Sequence, residues 1–291
     1  MTLQVGDASR PDAGPWEGIS ADTYRFLQDF VYRESGIVLE EDKHYLLQAR
    51  LMPILKGLQL RTIDDVCFKL RTGDTELGRR VVEAMTTNET LFFRDPSLFD
   101  ALRTVMVPAL MKQREATRRL AFWSAAASSG QEAYSLAMLL LEMGLLAQGW
   151  SIQILGTDLS AQVLDRARQG RYMQIEVNRG LPAPYLVRYF SKQGLEWQLK
   201  DNVRSMVRFD RFDLRQSPTP LGTFDIVFCR NVLIYFDIAT KKKILAGIRH
   251  VLRDDGCLLL GGAEAILDLD GNYARQVVGQ ASVYRKAVSC A

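Results

Sequence analysis

The chain has 291 residues, 47% of them hydrophobic, and 37 basic against 34 acidic residues for a net charge of +3. That is enough for one large domain or a large and a small one, and too evenly charged for a nucleic-acid groove. Cys67, Cys229, Cys257 and Cys290 are far apart and His44 and His250 lie near none of them, so neither a metal site nor a disulfide framework is expected; no apolar run reaches the roughly 18 residues of a membrane span and no signal-peptide core opens the chain, so we expect a cytoplasmic protein with no membrane insertion.

Residues 1–18, with Pro11, Gly14, Pro15 and Gly18, read as a flexible leader. Ser20 then has the form of a helix N-cap ahead of Tyr24, Leu27, Phe30 and Val31 at helical spacing. Further helical patterns from Lys43 to Leu58, Ile63 to Arg71 and Glu76 to Met85 make residues 19–86 a small all-helical domain. In the first of these, Leu47, Leu51, Ile54, Leu55 and Leu58 form the apolar stripe, and Lys43 and Arg50 share an exposed edge that reads better as a solvated face than as a binding stripe. Pro53 sits inside that pattern, where proline costs about 3 kcal/mol, so a kink or a break into two helices is expected. Residues 87–119, with Pro96 and a helix from Leu98 to Arg114, read as a linker and connecting helix.

From Leu120 the periodicity alternates between strand and helix, the pattern of a parallel sheet with helices on both faces. Strands are expected at Leu120 to Ala126, Ser151 to Thr157, Val207 to Leu214, Phe224 to Cys229, Cys257 to Gly262 and Ser282 to Lys286. Helices are expected at Glu132 to Leu146, Ala161 to Arg168, Tyr185 to Phe190 and Ile238 to Leu252. Residues 120–291 thus form an α/β domain. The interval from Gly170 to Arg211 is too long for a simple connection, and a hairpin beginning at Leu195 and ending near Arg204 suggests an inserted β subdomain at about 191–206.

Chemistry-bearing residues fall at the C-terminal ends of the expected strands. The first strand runs into Ala127-Ser-Ser-Gly-Gln-Glu132, a small-residue turn that can bring backbone N–H groups close to a ligand, though an ordinary packed βα turn explains it equally well. Asp158, closing the second strand, can accept both hydroxyl protons of a ribose, leaving Ser160 to cap the next helix. Asp213 ends the third strand, where it could contact an adenine edge. The fourth ends in Cys229-Arg230-Asn231-Val-Leu-Ile-Tyr235. Polar groups at that edge suit catalysis, while pairing of Arg230 with Asp225 and core packing of Tyr235 is the alternative. Cys229 reads as a buried thiol, with no His close in sequence to activate it. Finally, Thr86-Thr-Asn88-Glu-Thr90-Leu-Phe-Phe-Arg94-Asp-Pro96 places hydrogen-bonding groups beside two Phe residues ahead of the sheet domain.

Four of these stretches together, Thr-Thr-Asn-Glu-Thr-Leu-Phe-Phe-Arg-Asp, Trp-Ser-Ala-Ala-Ala-Ser-Ser-Gly-Gln-Glu-Ala-Tyr-Ser, Gly-Thr-Asp-Leu-Ser and Phe-Cys-Arg-Asn-Val-Leu-Ile-Tyr-Phe, resemble in order and spacing the signature blocks of the chemotaxis receptor methyltransferases, the CheR family. The resemblance covers about residues 20 to 287. It implies a Rossmann-like class I methyltransferase sheet behind a small all-α domain. It also implies S-adenosyl-L-methionine as cofactor, with S-adenosyl-L-homocysteine as product, and γ-methyl esters formed on glutamates of a chemoreceptor's cytoplasmic signalling domain. Asn88, Thr90, Arg94, Glu132, Asp158, Asp213, Leu214, Arg230 and Asn231 would surround the cofactor, and Arg94 and Tyr235 would border the reacting methyl group.

Some features depart from the family pattern. Gly261-Gly-Ala-Glu264 replaces a usual Gly-His-Ser-Glu, which predicts fewer polar contacts there. The N-terminal helices are less basic than the family's receptor-reading helix, and the loop from Ser191 to Leu195 is short, which argues against tethering to a receptor C-terminal peptide. These departures fit a divergent branch serving pilus-based twitching motility. Two other readings compete: a class I methyltransferase acting on a small molecule or nucleic acid, for which an Asn-Pro-Pro-Tyr motif is missing, and a non-catalytic module that senses the cofactor.

Overall fold

A computed structural model describes residues 19–41, 43–266 and 269–287; the expected leader at 1–18 lies outside them. The chain divides into two compact units, one ending at Thr87 and the other beginning at Asn88.

Four helices build the first unit: α1 (Ala21–Ser35), α2 (His44–Gly57), α3 (Ile63–Arg71) and α4 (Thr75–Met85). Each of three has a side-chain N-cap, Ser20 for α1, Thr62 in a capping box with Asp65 for α3, and Asp74 for α4, and such caps satisfy N–H groups that have no partner inside the helix. The expected break at Pro53 does not occur, because α2 runs through it. Proline removes a single helical N–H, and Leu47, Leu51 and Leu55, all buried on one face, hold both halves against the other helices. Arg50 is not the solvated residue expected. It donates from Nη1 to the Met85 carbonyl at 2.5 Å and from Nη2 to Thr87 Oγ1 at 2.8 Å, satisfying a carbonyl that the end of α4 leaves open. Lys43, on the same edge, pairs with Glu40.

The second unit begins with α5 (Pro96–Ala101) and α6 (Val107–Gln113), joined by a π-helical turn at Leu102–Met106. The single helix expected here is interrupted because Pro108 has no N–H for the Thr104 carbonyl, and the Val107 amide instead reaches back to Leu102. Residues 87–119 are more than a linker: Phe92, Phe93, Leu98, Phe99, Leu102, Val107 and Leu110 are buried in this unit's core.

There follow β1 (Arg119–Ala125), α7 (Gln131–Glu142), β2 (Ser151–Asp158) and α8 (Ala161–Gln169). An insertion comes next, with β3 (Arg171–Met173), α9 (Gln174–Asn178), α10 (Ala183–Tyr189), β4 (Phe190–Gln193), β5 (Glu196–Leu199) and α11 (Asp201–Arg204). The main chain of the fold resumes with β6 (Val207–Arg211), β7 (Phe224–Cys229), α12 (Ile238–Val251), β8 (Leu252–Leu259), β9 (Tyr273–Val278) and β10 (Ala281–Lys286). The insertion's three strands form their own antiparallel sheet in the order β3-β5-β4. Its hairpin starts at Phe190 rather than Leu195, turning tightly between Gln193 and Glu196, and the segment after Leu199 is helical. In the main sheet the strand missing from the sequence reading is β9, and in the insertion β3 and β4 are not read as strands either. The burial of β9 is poor after Tyr273, as suits the outermost strand of a sheet, and so it carries no apolar alternation.

The main sheet has the order β6-β2-β1-β7-β8-β10-β9. Its β6, β2, β1, β7 and β8 are parallel, while β10 is antiparallel to both its neighbours. Alternate residues of each central strand enter different cores, because successive side chains point to opposite faces. Leu120, Phe122, Ile154, Ile226 and Phe228 pack with α5 to α7, whereas Ala121, Trp123, Leu155, Val227 and Cys229 pack with α12. Both faces are thus covered, giving the expected α/β architecture. The order reverses at β1, whose neighbours β2 and β7 lead away on either side, and a crevice opens at such a switch point beyond the C-terminal ends of the strands.

At the opposite end of the sheet the fully buried Asp225 accepts from the Ala121 amide at 2.8 Å and from Arg114 Nε at 3.0 Å. Arg253 lies 3.3 Å from the same carboxylate. Arg114 also makes a two-pronged contact with Asp255 at 2.7 and 2.5 Å. Removing one partner leaves buried charge and an open amide, so Asp225→Ala should lower unfolding free energy by about 3 to 5 kcal/mol in urea denaturation. Arg114 also holds the Asp255 carboxyl below its usual range. A carboxylate with a depressed folded value contributes stability above its unfolded pKa, about 3.9, and loses it as pH falls through the folded value. Asp255→Asn should therefore flatten the loss of stability below about pH 4.

Candidate functional site

The loops leaving β1, β2, β6 and β7 converge at the switch point, and the segment Asn88 to Asp95 joins them. Five of the residues involved, Phe93, Asp95, Ala126, Ser128 and Asn231, have positive φ without being glycine, at 47°, 62°, 57°, 52° and 57°. For Phe93, Ala126 and Ser128 such a conformation costs roughly 1 to 2 kcal/mol, while Asp and Asn adopt it more readily.

Surrounding hydrogen bonds fix the β1–α7 turn. The Ala127 amide donates to the Thr157 carbonyl at 2.8 Å and the Ser128 amide to Asp158 Oδ2 at 2.9 Å. Ser128 Oγ donates to the Asn88 carbonyl, and the buried Tyr172 hydroxyl of β3 donates to the Ser129 carbonyl at 2.8 Å. The inserted sheet therefore braces the turn. Gly130 adopts φ 93° as the N-cap of α7, and a Cβ there would lie 3.0 to 3.1 Å from Phe209, Ala167 and Tyr134. Asp158 Oδ1 accepts from the Ser160 amide at 3.0 Å, and Ser160 caps α8, as the sequence reading expects.

Arg230 leaves the end of β7 buried, and it does not pair with Asp225. It donates from Nη1 to Glu132 Oε2 at 2.8 Å and from Nη2 to Asp95 and to the Arg94 carbonyl. Glu132 is held on its other oxygen by Ser124 Oγ at 2.7 Å. Three sequence blocks thus meet on one guanidinium. Arg230 Nε and Asn231 Oδ1 are buried and have no hydrogen-bond partner among the described residues. Arg94 is half-buried, and neither its side chain nor those of Asn88 and Thr90 has a hydrogen bond or ion pair among the described residues.

Asp213 and Leu214 follow β6, next to Asp158 through the bond from the Phe212 amide to the Asp158 carbonyl. Leu214 packs into the core under α12. The Asp213 carboxylate is taken up by Arg215 at 2.6 to 3.0 Å. Tyr235 ends a short 3-10 turn, Leu233–Tyr235, and is half-buried, with its hydroxyl unbonded among the described residues rather than locked into the core. Cys229 is fully buried, and burial pushes its thiol well above the ordinary range, so it is not a nucleophile. Around Gly261 to Glu264 the polar contacts run through the acid, the one polar side chain of that motif present here. The buried Glu264 accepts from the amides of Asn231 at 2.7 Å, Val232 at 3.0 Å, Leu233 at 2.8 Å and Gly261 at 2.8 Å. Asp95 and Glu264 escape the sequence reading because their main partners are distant in the chain, and Ser124 because strand residues carry no signal for a bond across the turn to Glu132; the acid in a glycine-rich loop after a buried strand was the one signal for Glu264.

This edge presents donors at Asn88, Thr90, Arg94 and Arg230 Nε, an acceptor at Asn231 Oδ1, and carboxylates at Glu132 and Asp158. A ligand bearing a carboxylate, an ammonium and ribose hydroxyls fits that set. A family model described as CheR methyltransferase, SAM binding domain, matches residues 88–281, and one described as CheR methyltransferase, all-alpha domain, matches residues 22–86. The chain belongs to the CheR methyltransferase family. The chemotaxis protein methyltransferase 1 of Pseudomonas aeruginosa is 39% identical over 268 residues, 90% of this chain and 97% of that protein. The chemotaxis protein methyltransferase Cher2 of Pseudomonas putida is 40% identical over 251 residues, 84% of this chain and 90% of that protein. The Vibrio anguillarum chemotaxis protein methyltransferase is 39% identical over 259 residues, 88% and 93% of the two. The CheR fold here is therefore an S-adenosylmethionine-dependent methyltransferase of the chemotaxis class, and nothing in these relatives' names supports the pilus branch. Among the described residues no helix is long and apolar enough to cross a membrane.

In this CheR site Gly130 admits no side chain without displacing Phe209 and Tyr134. Gly130→Ala should lower stability by at least about 1 to 2 kcal/mol from the left-handed backbone alone, read as a fall in melting temperature, and should weaken S-adenosylhomocysteine binding in calorimetry.

Proposed function

We propose that this protein methylates glutamate side chains of a chemoreceptor's cytoplasmic signalling domain, forming γ-methyl esters. The observation that carries the reading is the kind of group offered at the sheet edge. Glu132, Asp158 and Glu264 are each committed to hydrogen bonds. His250 lies in the last turn of α12, which runs away from the edge, and His44 belongs to the first unit. A base is not needed if the nucleophile arrives already charged, and a glutamate with a pKa of about 4.3 is ionised at neutral pH. Full-length similarity to chemotaxis methyltransferases supports the same substrate class.

S-adenosylmethionine, when bound, supplies a methyl group on a sulfonium, an electrophile that needs no acid to activate it. The protein's part is then alignment. Asn88, Thr90, Glu132, Asp158, Asp213, Leu214, Arg230 and Asn231 would hold the cofactor, with Asp158 accepting from ribose hydroxyls and Glu132 facing the ammonium. Arg94, with no internal partner, can hold a carboxylate by charge-assisted hydrogen bonds, and Tyr235 can orient the same group. Holding reactants in one geometry is worth several kcal/mol through proximity. Tethering to a receptor C-terminal peptide is not part of this proposal, since β4 and β5 are joined by a tight turn around Gly194.

Incubation with labelled methyl donor and receptor signalling fragments, then base treatment, separates the chemistries. Methyl esters release volatile methanol, whereas N-methyl products keep the label and would overturn the proposal. Arg94→Ala should reduce kcat/KM by about 100-fold or more with the melting temperature unchanged. Asp158→Asn should weaken S-adenosylhomocysteine binding by roughly 10- to 100-fold in calorimetry, and unchanged affinity would remove Asp158 from the site.

A further inference from the structure

We propose that Glu264 is a positioning residue for the reaction, fixing the loop that carries Asn231 and Tyr235. Three consecutive amides, Asn231, Val232 and Leu233, converge on its carboxylate, with Gly261 as a fourth donor. Consecutive N–H groups converge in this way only when the chain turns through unlike conformations, here a left-handed Asn231 at φ 57° and a Val232 at φ −126°, ψ −33°. Such a concavity is the backbone's usual receptor for an anion. In this protein a side chain of the chain itself fills it, buried and four times bonded.

Burial of Leu233 and the bonds from the Tyr235 amide to the Val232 carbonyl and from the Phe236 amide to the Leu233 carbonyl hold the far side of the loop, and the carboxylate holds its start. The Val232 and Leu233 amides would be left open without the carboxylate. The same amides begin the 3-10 turn that ends at Tyr235, so the placement of the Tyr235 ring follows from them. Gly261 closes the arrangement from the other side. A Cβ on Gly261 would lie 2.6 Å from Asn231 Nδ2, 2.8 Å from its Cγ and 2.9 Å from Glu264 Oε2. The Asn231 side chain is consequently pinned between backbone and loop, with its Oδ1 buried and unpartnered among the described residues. Glu264 touches no reacting group, and acts through Asn231 and Tyr235. The inference rests on the cofactor and substrate roles proposed for those two residues.

Glu264→Ala leaves four donors open and threatens the fold, so Glu264→Gln and Gly261→Ala are the working variants in the full-length protein. Glutamine keeps the shape and one acceptor oxygen but turns an NH2 group toward amide donors. Gly261→Ala presses on Asn231 from the opposite side. We expect faster hydrogen exchange in the peptide spanning 230–236 in Glu264→Gln, by tenfold or more, with the turn at 126–130 unchanged. S-adenosylhomocysteine affinity should fall at least tenfold in both variants, and kcat of Glu264→Gln should fall further than a change in KM explains. A double variant with Asn231→Ala should lose little beyond either single one, since both act on one group. The idea fails if Glu264→Gln loosens the loop or lowers the melting temperature while affinity and kcat stay within twofold of wild type. It fails equally if both variants bind the product as wild type does. Failure of the proposed substrate looks different: wild-type protein that binds the product but esterifies no receptor fragment.

Discussion

Buried carboxylates that accept backbone N–H groups hold the ligand edge of this sheet together. Two loops must leave β1 and β7 through left-handed residues, Ala126 and Ser128 in one and Asn231 in the other. Asp158 holds the first through the Ser128 amide, and Glu264 holds the second through three successive amides. An unmet buried donor costs about 1 to 3 kcal/mol, comparable to the strain at Ala126 and Ser128, so Asp158 offsets that strain while Glu264 keeps three successive amides satisfied. Both loops are thereby held in one arrangement at the C-terminal edge of the sheet.

Between the two loops stands Arg230. Its guanidinium draws together Glu132 from α7 and Asp95 and the Arg94 carbonyl from the segment ahead of α5. Its Nε is left buried and unmet among the described residues. A fully satisfied guanidinium would be a structural rivet; an incompletely satisfied one keeps capacity for a ligand atom. The contrast with Asp225 at the other end of the sheet is instructive. There the carboxylate is met by an amide and two arginines.

The inserted sheet contributes to the same end. Tyr172 is completely buried and its hydroxyl reaches the Ser129 carbonyl, while Tyr134 from α7 donates to the Ala167 carbonyl at 2.7 Å. Burial pushes the Tyr172 phenol well above its ordinary range, so it stays a neutral donor across the working pH range. The insertion thus serves as a brace for the β1–α7 turn.

The sequence by itself determined the alternation of strands and helices, the all-helical first unit, the Ser160 cap and the motif residues that collect at the strand ends. Those features depend on local periodicity and capping, which neighbouring residues control. Pro53 shows the limit of local rules, because buried Leu47, Leu51 and Leu55 override the cost of one missing N–H. The edge strand β9 was illegible for the converse reason, since with little to bury it has no apolar period. Only the tertiary structure decided that Arg230 pairs with Glu132 and Asp95 rather than Asp225, that Arg215 takes up Asp213, and that Glu264 gathers four amides. The interactions of Arg230, and those of Glu264 with Asn231, Val232 and Leu233, join groups remote in sequence, and their partners are chosen by which strand ends the sheet order sets side by side.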